Sequence, residues 1–109
     1  MQGGGSYRNG YKKYPKSGEG TPFLINRSYY KENGVTFLIA NFSGRVERPW
    51  LYYFGDDEQW HPSPMLLSEG KYIAMIAPQK QKKVKYYITL EDENMTYRFP
   101  LEEYYELEN

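Results

Sequence analysis

KYIAMIAPQKQKKVKYYITLEDENMTYRFP, residues 71–100, holds three apolar runs broken by a lysine cluster and an acidic patch. Its middle run, KVKYYITLE, alternates cleanly. Val84, Tyr86, Ile88 and Leu90 fall on one side, and Lys83, Lys85, Tyr87 and Thr89 on the other. A period of two predicts a strand with one face turned inward. KYIAMIA begins after Glu69-Gly70 and stops at Pro78. Asp92-Glu93-Asn94 turns the chain, and MTYRF returns with Met95, Tyr97 and Phe99 inward. Pro100 closes that run, because proline cannot donate to a ladder. The segment therefore reads as three successive strands, with the lysines Lys80, Lys82, Lys83 and Lys85 partly a turn and partly an outward face.

The same reading extends outward in both directions. PFLINRSYY is a short extended run ended by Lys31-Glu32-Asn33-Gly34, where Asn-Gly signals a hairpin. VTFLIANF sets Val35, Phe37 and Ile39 on one face and Thr36, Leu38 and Ala40 on the other; both faces are largely apolar, as in a central strand. Ser43-Gly44 breaks it. WLYYF is the next run, followed by the polar stretch GDDEQWHPSP, and LEEYYELE near the C-terminus reads as an edge strand. Short strands at roughly ten-residue spacing, with no helical period, predict an antiparallel β-sandwich or a small barrel; five strands would also suit an OB-like barrel.

Composition supports thin β layers. The chain has 109 residues, enough for one domain and too few for two. Only 39% of residues are apolar, but thirteen tyrosines and five phenylalanines supply bulk, and aromatic rings suit a pleated surface. With no cysteine there is no disulfide, thiolate zinc site or thiol nucleophile. The start, MQGGGSYRNG, lacks the apolar core of a signal peptide and fits a vector remnant in part, so the expected location is cytoplasmic, or that of a mature secreted fragment lacking its leader.

Net charge is zero, yet the signs are segregated. Residues 1–20 carry Arg8, Lys12, Lys13 and Lys16 against Glu19, with six glycines and no apolar period, and read as a flexible basic arm. Residues 91–109 carry seven acids against Arg98. Oppositely charged ends suggest contact between neighbours or with a charged partner. In the arm, Tyr7, Tyr11 and Tyr14 alternate with Arg8, Lys12 and Lys13. Stacking plus charge is how single-stranded nucleic acid is held, so the arm is a candidate for that contact.

From Tyr52 onward, YYFGDDEQWHPSPMLLSEGKYIAMIAPQKQKKVKYYITLED resembles the latter part of an early-set immunoglobulin-like domain. It runs as a strand, a Trp with Pro-Met a few residues on, a Gly-initiated strand, a lysine turn and a Tyr-Tyr strand. Starch- and glycogen-binding modules share this order, as do immunoglobulin-like domains appended to secreted peptidases. The resemblance covers about residues 35–100 and implies an antiparallel immunoglobulin-like β-sandwich over 21–109. In its glycan-binding version, the resemblance carries over Trp60, in the position of a sugar-stacking Trp, and Lys85. Where a second Trp usually completes the platform, EDENMTYRF carries Tyr97.

Catalytic patterns are sparse. His61 is the single histidine. A triad would need it beside Ser63 or Ser68 and an acid such as Asp56 or Asp57, but no nucleophile elbow surrounds them. Asp56, Asp57 and Glu58 lack the alternate-residue spacing of a calcium loop, as does Glu91-Asp92-Glu93. No acid can be placed opposite Glu102 and Glu103, and no glycine-rich stretch precedes a helix. The chain reads as no enzyme, with neither cofactor nor metal. What remains are aromatics on both sides of strands: Trp50, Tyr52 and Tyr53, then Tyr87, then Tyr104 and Tyr105. Large rings left outside are commonly a partner surface. The expected role is a docking or structural subunit that meets another protein or its own copies. An α-glucan-binding module is the alternative.

Overall fold

The computed structural model describes residues 20–109. The basic arm, with Tyr7, Arg8, Tyr11, Lys12, Lys13 and Tyr14, lies outside the described residues. Among these residues the chain forms nine strands and no helix: β1 Phe23–Glu32, β2 Val35–Ser43, β3 Trp50–Phe54, β4 Trp60–Pro64, β5 Leu66–Ser68, β6 Lys71–Ile76, β7 Lys83–Glu91, β8 Thr96–Phe99 and β9 Tyr105–Glu108. They make two antiparallel sheets. The first runs β1-β2-β6-β5, and the second runs β4-β3-β7-β8 with β9 also on β7. Both sheets have open edges, so the OB-like barrel is not the architecture.

Hairpins build each sheet, and connections between them cross from one sheet to the other. Asn33 and Gly34 both have positive φ and separate the paired residues Glu32 and Val35, which is the type I′ turn that Asn-Gly favours. Glu69 and Gly70 do the same between Ser68 and Lys71. That second hairpin brings in β5, a three-residue strand too short to show a period in the sequence.

Alternation decides what is buried. Leu38 and Ala40 of β2 and Ala74 and Ile76 of β6 face Leu51 and Tyr53 of β3 and Val84, Tyr86 and Ile88 of β7, with Leu107 of β9 and Met65 completing one core. Each fully buried Leu or Ile contributes about 1.5–3 kcal/mol. The inward set expected for β7 is buried in full. Thr36, Leu38 and Ala40 are the inner face of β2, and β2 is a central strand between β1 and β6.

Three segments differ from expectation. The stretch read as polar loop, GDDEQWHPSP, ends in an edge strand, because prolines without N–H groups fit where the backbone faces outward: Pro62 pairs with Tyr52 and Pro64 with Trp50. Met95 is 54% exposed and precedes β8 instead of joining its inner face. In LEEYYELE only the second half is a strand. Phe99 lies opposite Ile88 and Tyr105 opposite Tyr86, so six residues advance on one strand against two on β7 and four are extruded. β8 and β9 are thus one strand interrupted by a loop.

Candidate functional site

The outward side chains of the second sheet converge on one another. Leu51 and Tyr53 point inward, so Trp50, Tyr52 and Phe54 point out. Register places Tyr52 opposite Tyr87, and the two rings stack with centroids 5.0 Å apart. Trp60, at the edge on β4, leans across Phe54 at 5.1 Å and Tyr87 at 5.1 Å. From the opposite edge, Tyr104 in the extruded loop reaches to 6.4 Å of the Trp60 ring. Three strands and the extruded loop thereby carry one aromatic cluster, whose most exposed members are Trp60 and Tyr104 at 39% each.

Two cations are built into it. Lys85 Nζ lies 4.8 Å from the Tyr104 centroid and 5.8 Å from that of Phe54. The Arg98 guanidinium sits 4.2 Å over Tyr87 and donates to the carbonyl oxygens of Pro100 and Glu103. Cations over ring faces gain about 0.5–1 kcal/mol where exposed. Arg98 has the larger structural role, since it ties the extruded loop, and with it Tyr104, to the sheet. Thr89 stands between Trp50 and Arg98 in register on this face, and its buried Oγ1 has no hydrogen-bond partner.

Of the expected protein-binding residues, Trp50, Tyr52, Tyr87 and Tyr104 lie on this face, while Tyr53 and Tyr105 do not. Tyr53 is a core residue, because it alternates with Tyr52 beside the inward Leu51. Tyr105 pairs with inward Tyr86 and packs against the core, with the Arg27 guanidinium 3.6 Å over its ring. Arg27 also donates to Tyr86 Oη at 3.0 Å. Burial raises the Tyr86 phenol above its ordinary value, and the nearby Arg27 charge partly offsets this.

The glycan set is split in the same way. Trp60 and Lys85 come together, but Tyr97 pairs with inward Leu90 and so lies on the opposite side of the sheet. Tyr104 takes the place expected of Tyr97. Trp60 meets Phe54 at 60° and Tyr87 at 62°, so the cluster is ridged at Trp60, while Tyr52 and Tyr87 lie within 17° of each other.

The remaining candidates have structural employment. His61 is on β4 and not in a loop; its Nε2 lies 2.9 Å from both Asp57 carboxylate oxygens and its ring stacks on Tyr53. The hydrogen bond to His61 holds the Asp57 carboxyl below its ordinary value. Gly55 permits this pair, since a Cβ there would come within 2.8 Å of the His61 ring. Ser63 points between the sheets and donates to the Met75 carbonyl at 2.7 Å, so it does not face His61 as a nucleophile. Asp56 accepts the backbone N–H groups of Lys80 and Gln81. Asn109 donates to the carbonyls of Gln79 and Gln81, so the lysine turn is anchored from two sides. Asp92 caps its own turn through the N–H groups of Asn94 and Met95. Among the described residues no group of three or more acids and histidines is placed to hold a metal ion.

The acidic end is likewise built into the fold. Glu106 lies opposite Lys85, Glu108 opposite Lys83, and Glu91 is 3.8 Å from Arg48. Sequence reasoning missed Arg98 as a member of the aromatic face. Phe54 was legible as the third outward residue of WLYYF, but Arg98 needed the register of β8. Comparison with protein-family models, with curated proteins and with solved structures finds no match to this chain.

Proposed function

We propose that the chain is a non-catalytic docking module that binds another protein through the outer face of its second sheet. One observation carries the reading: Trp60, Tyr52, Tyr87 and Tyr104 form a single half-exposed cluster with Lys85 and Arg98 set into it. Trp, Tyr and Arg are the side chains that dominate binding energy at protein interfaces, because they bury large area and retain a polar handle. The ridge at Trp60 favours a protein surface with its own relief over the flat ring of a sugar.

Strand order supports the finer fold reading. Lettered A, B, C, C′, D, E, F and G from β1 to β8, the sheets run A-B-E-D and C′-C-F-G, an order that supports an immunoglobulin-like reading. The docking face is then the outer side of the sheet that carries the C and F strands.

The test is affinity capture from native extract with the full chain beside its Trp60→Ala and Tyr87→Ala variants, all matched for unfolding midpoint. A protein retained by the parent and lost from both variants is the expected result. Equal retention by all three overturns the reading. Retention of α-glucan by the parent and not by Trp60→Ala transfers the face to carbohydrate.

A further inference from the structure

Four edges bound the two sheets, and three are protected. β4 carries Pro62 and Pro64, β5 is three residues long, and the β8–β9 edge is broken by the extruded loop and carries Glu106 and Glu108. These are the devices by which native sheets avoid pairing with other chains. β1 has little of this protection. It is ten residues long and exposed along nearly its whole length, with one irregularity near Ile25.

Pairing with β2 settles which backbone groups of β1 are free. Glu32 and Val35 flank the two-residue turn and exchange both hydrogen bonds; bonded and non-bonded pairs then alternate. Tyr30 and Ser28 therefore bond Phe37 and Ile39. Lys31, Tyr29 and Arg27 direct their N–H and C=O groups to the open edge. Their side chains lie on the other side from Ser28 and Tyr30 and tether β1 to the second sheet: Arg27 to Tyr86, Lys31 to Asn109, and Tyr29 Oη accepting the Glu108 N–H. The strand is held in place while, among the described residues, its edge stays open.

We infer that β1 pairs antiparallel with β1 of a second copy about a two-fold axis at Ser28, joining two first sheets into one of eight strands. Charge permits a second copy in this register and opposes the two nearest shifts. The charged residues of β1 are Arg27, Lys31 and Glu32. With Ser28 opposite Ser28, Arg27 meets Tyr29, Lys31 meets Ile25 and Glu32 meets Leu24 of the second copy, so no like charges oppose. Moving the axis to position 27 sets Arg27 against Arg27, and moving it to 29 sets Arg27 against Lys31; directly opposed like charges destabilise a sheet. In the Ser28 register the open groups of Arg27 and Tyr29 bond each other twice over, and Lys31 extends the ladder. The outer face continues across the axis through Ser28 opposite Ser28, with Tyr30, stacked on Phe37 at 5.0 Å, opposite Asn26 of the second copy. Backbone bonds give such strand addition its affinity. This surface is on the first sheet, so the inference stands apart from the docking face on the second.

Ser28 is a non-bonded pair in this dimer, where Cα atoms approach to about 4.5 Å, within the roughly 4.4–6.8 Å span of a disulfide. The chain contains no cysteine, so one introduced thiol is a clean probe. Full-length Ser28→Cys is expected to oxidise to a disulfide-linked dimer at protein concentrations where Glu32→Cys stays monomeric. Sedimentation of the parent should show a dimer. Ser28→Asp alone and Ser28→Lys alone should sediment as monomers with a cooperative unfolding midpoint that does not depend on concentration, and their equimolar mixture should regain the dimer. A parent that is monomeric throughout, or cross-linking equal at positions 28 and 32, overturns the inference.

Discussion

The two outer faces of this sandwich are made by the same device and differ in what fixes them. Each sheet has strands that are apolar on both sides, so burying one side leaves large residues on the other. On the first sheet those are Tyr30, Phe37, Ile39, Ile73, Met75 and Leu66, aligned across four strands by register, with Leu66 and Met75 strongly exposed. On the second they are rings that lean on one another from both edges, with Lys85 and Arg98 over them. The first face is an open apolar band with a single ring pair, Tyr30 on Phe37. The second is a shaped surface. An exposed apolar residue acquires a defined orientation only where a neighbour restricts it, and Arg98 does that for the second face.

The largest effect should separate the inside of a strand from its outside. Leu51→Ala is expected to cost about 2–5 kcal/mol in urea unfolding, as buried leucines do. Its neighbour Tyr52→Ala should cost about 1 kcal/mol, the scale of a ring pair beyond its burial. Equal costs would mean that the second sheet buries both faces alike. Next, Arg98→Ala should lose about 1–2 kcal/mol, since it removes charged hydrogen bonds to two carbonyls. It should also increase amide exchange across residues 100–104, and unchanged exchange would mean that the loop is held by something else.

Tyr86 links the core to alkaline pH. Its folded phenol is raised above the ordinary 10.0 by burial, so the unfolded chain ionises first. The stability this supplies is fully present below pH 10 and is lost as pH rises from there through the folded value. Tyr86→Phe should flatten that decline while losing the Arg27 hydrogen bond at neutral pH. A decline of the same steepness in the variant would assign it to other groups. The smallest effect belongs to the open band: Met75→Ser should change stability by no more than about 0.5 kcal/mol.

The strands that carry this comparison were legible to different degrees. β2, β3, β6 and β7 are apolar runs bounded by turn residues, but only in β7 does alternation alone decide the inner face, since β2 and β3 are apolar on both sides. β4 was hidden because Trp60-His61-Pro62-Ser63-Pro64 has the composition of a loop. It is a strand because β3 supplies a partner on the one side where proline does no harm. The sides of Tyr53 and Tyr105 were undecidable where two tyrosines adjoin, since either fits a core. The site was readable as a set of rings; that Tyr104 and not Tyr97 meets Trp60 depends on the four-residue extrusion, which only pairing with β7 reveals.

Both tryptophans of the chain, Trp50 and Trp60, sit on the outer side of the second sheet, so intrinsic fluorescence reports that face without a label. Acrylamide quenching of the full chain, alone and with the captured partner, is the direct measurement. Marked loss of quenching in the complex is the predicted result. Quenching equal in the free and bound chain would contradict docking through this face.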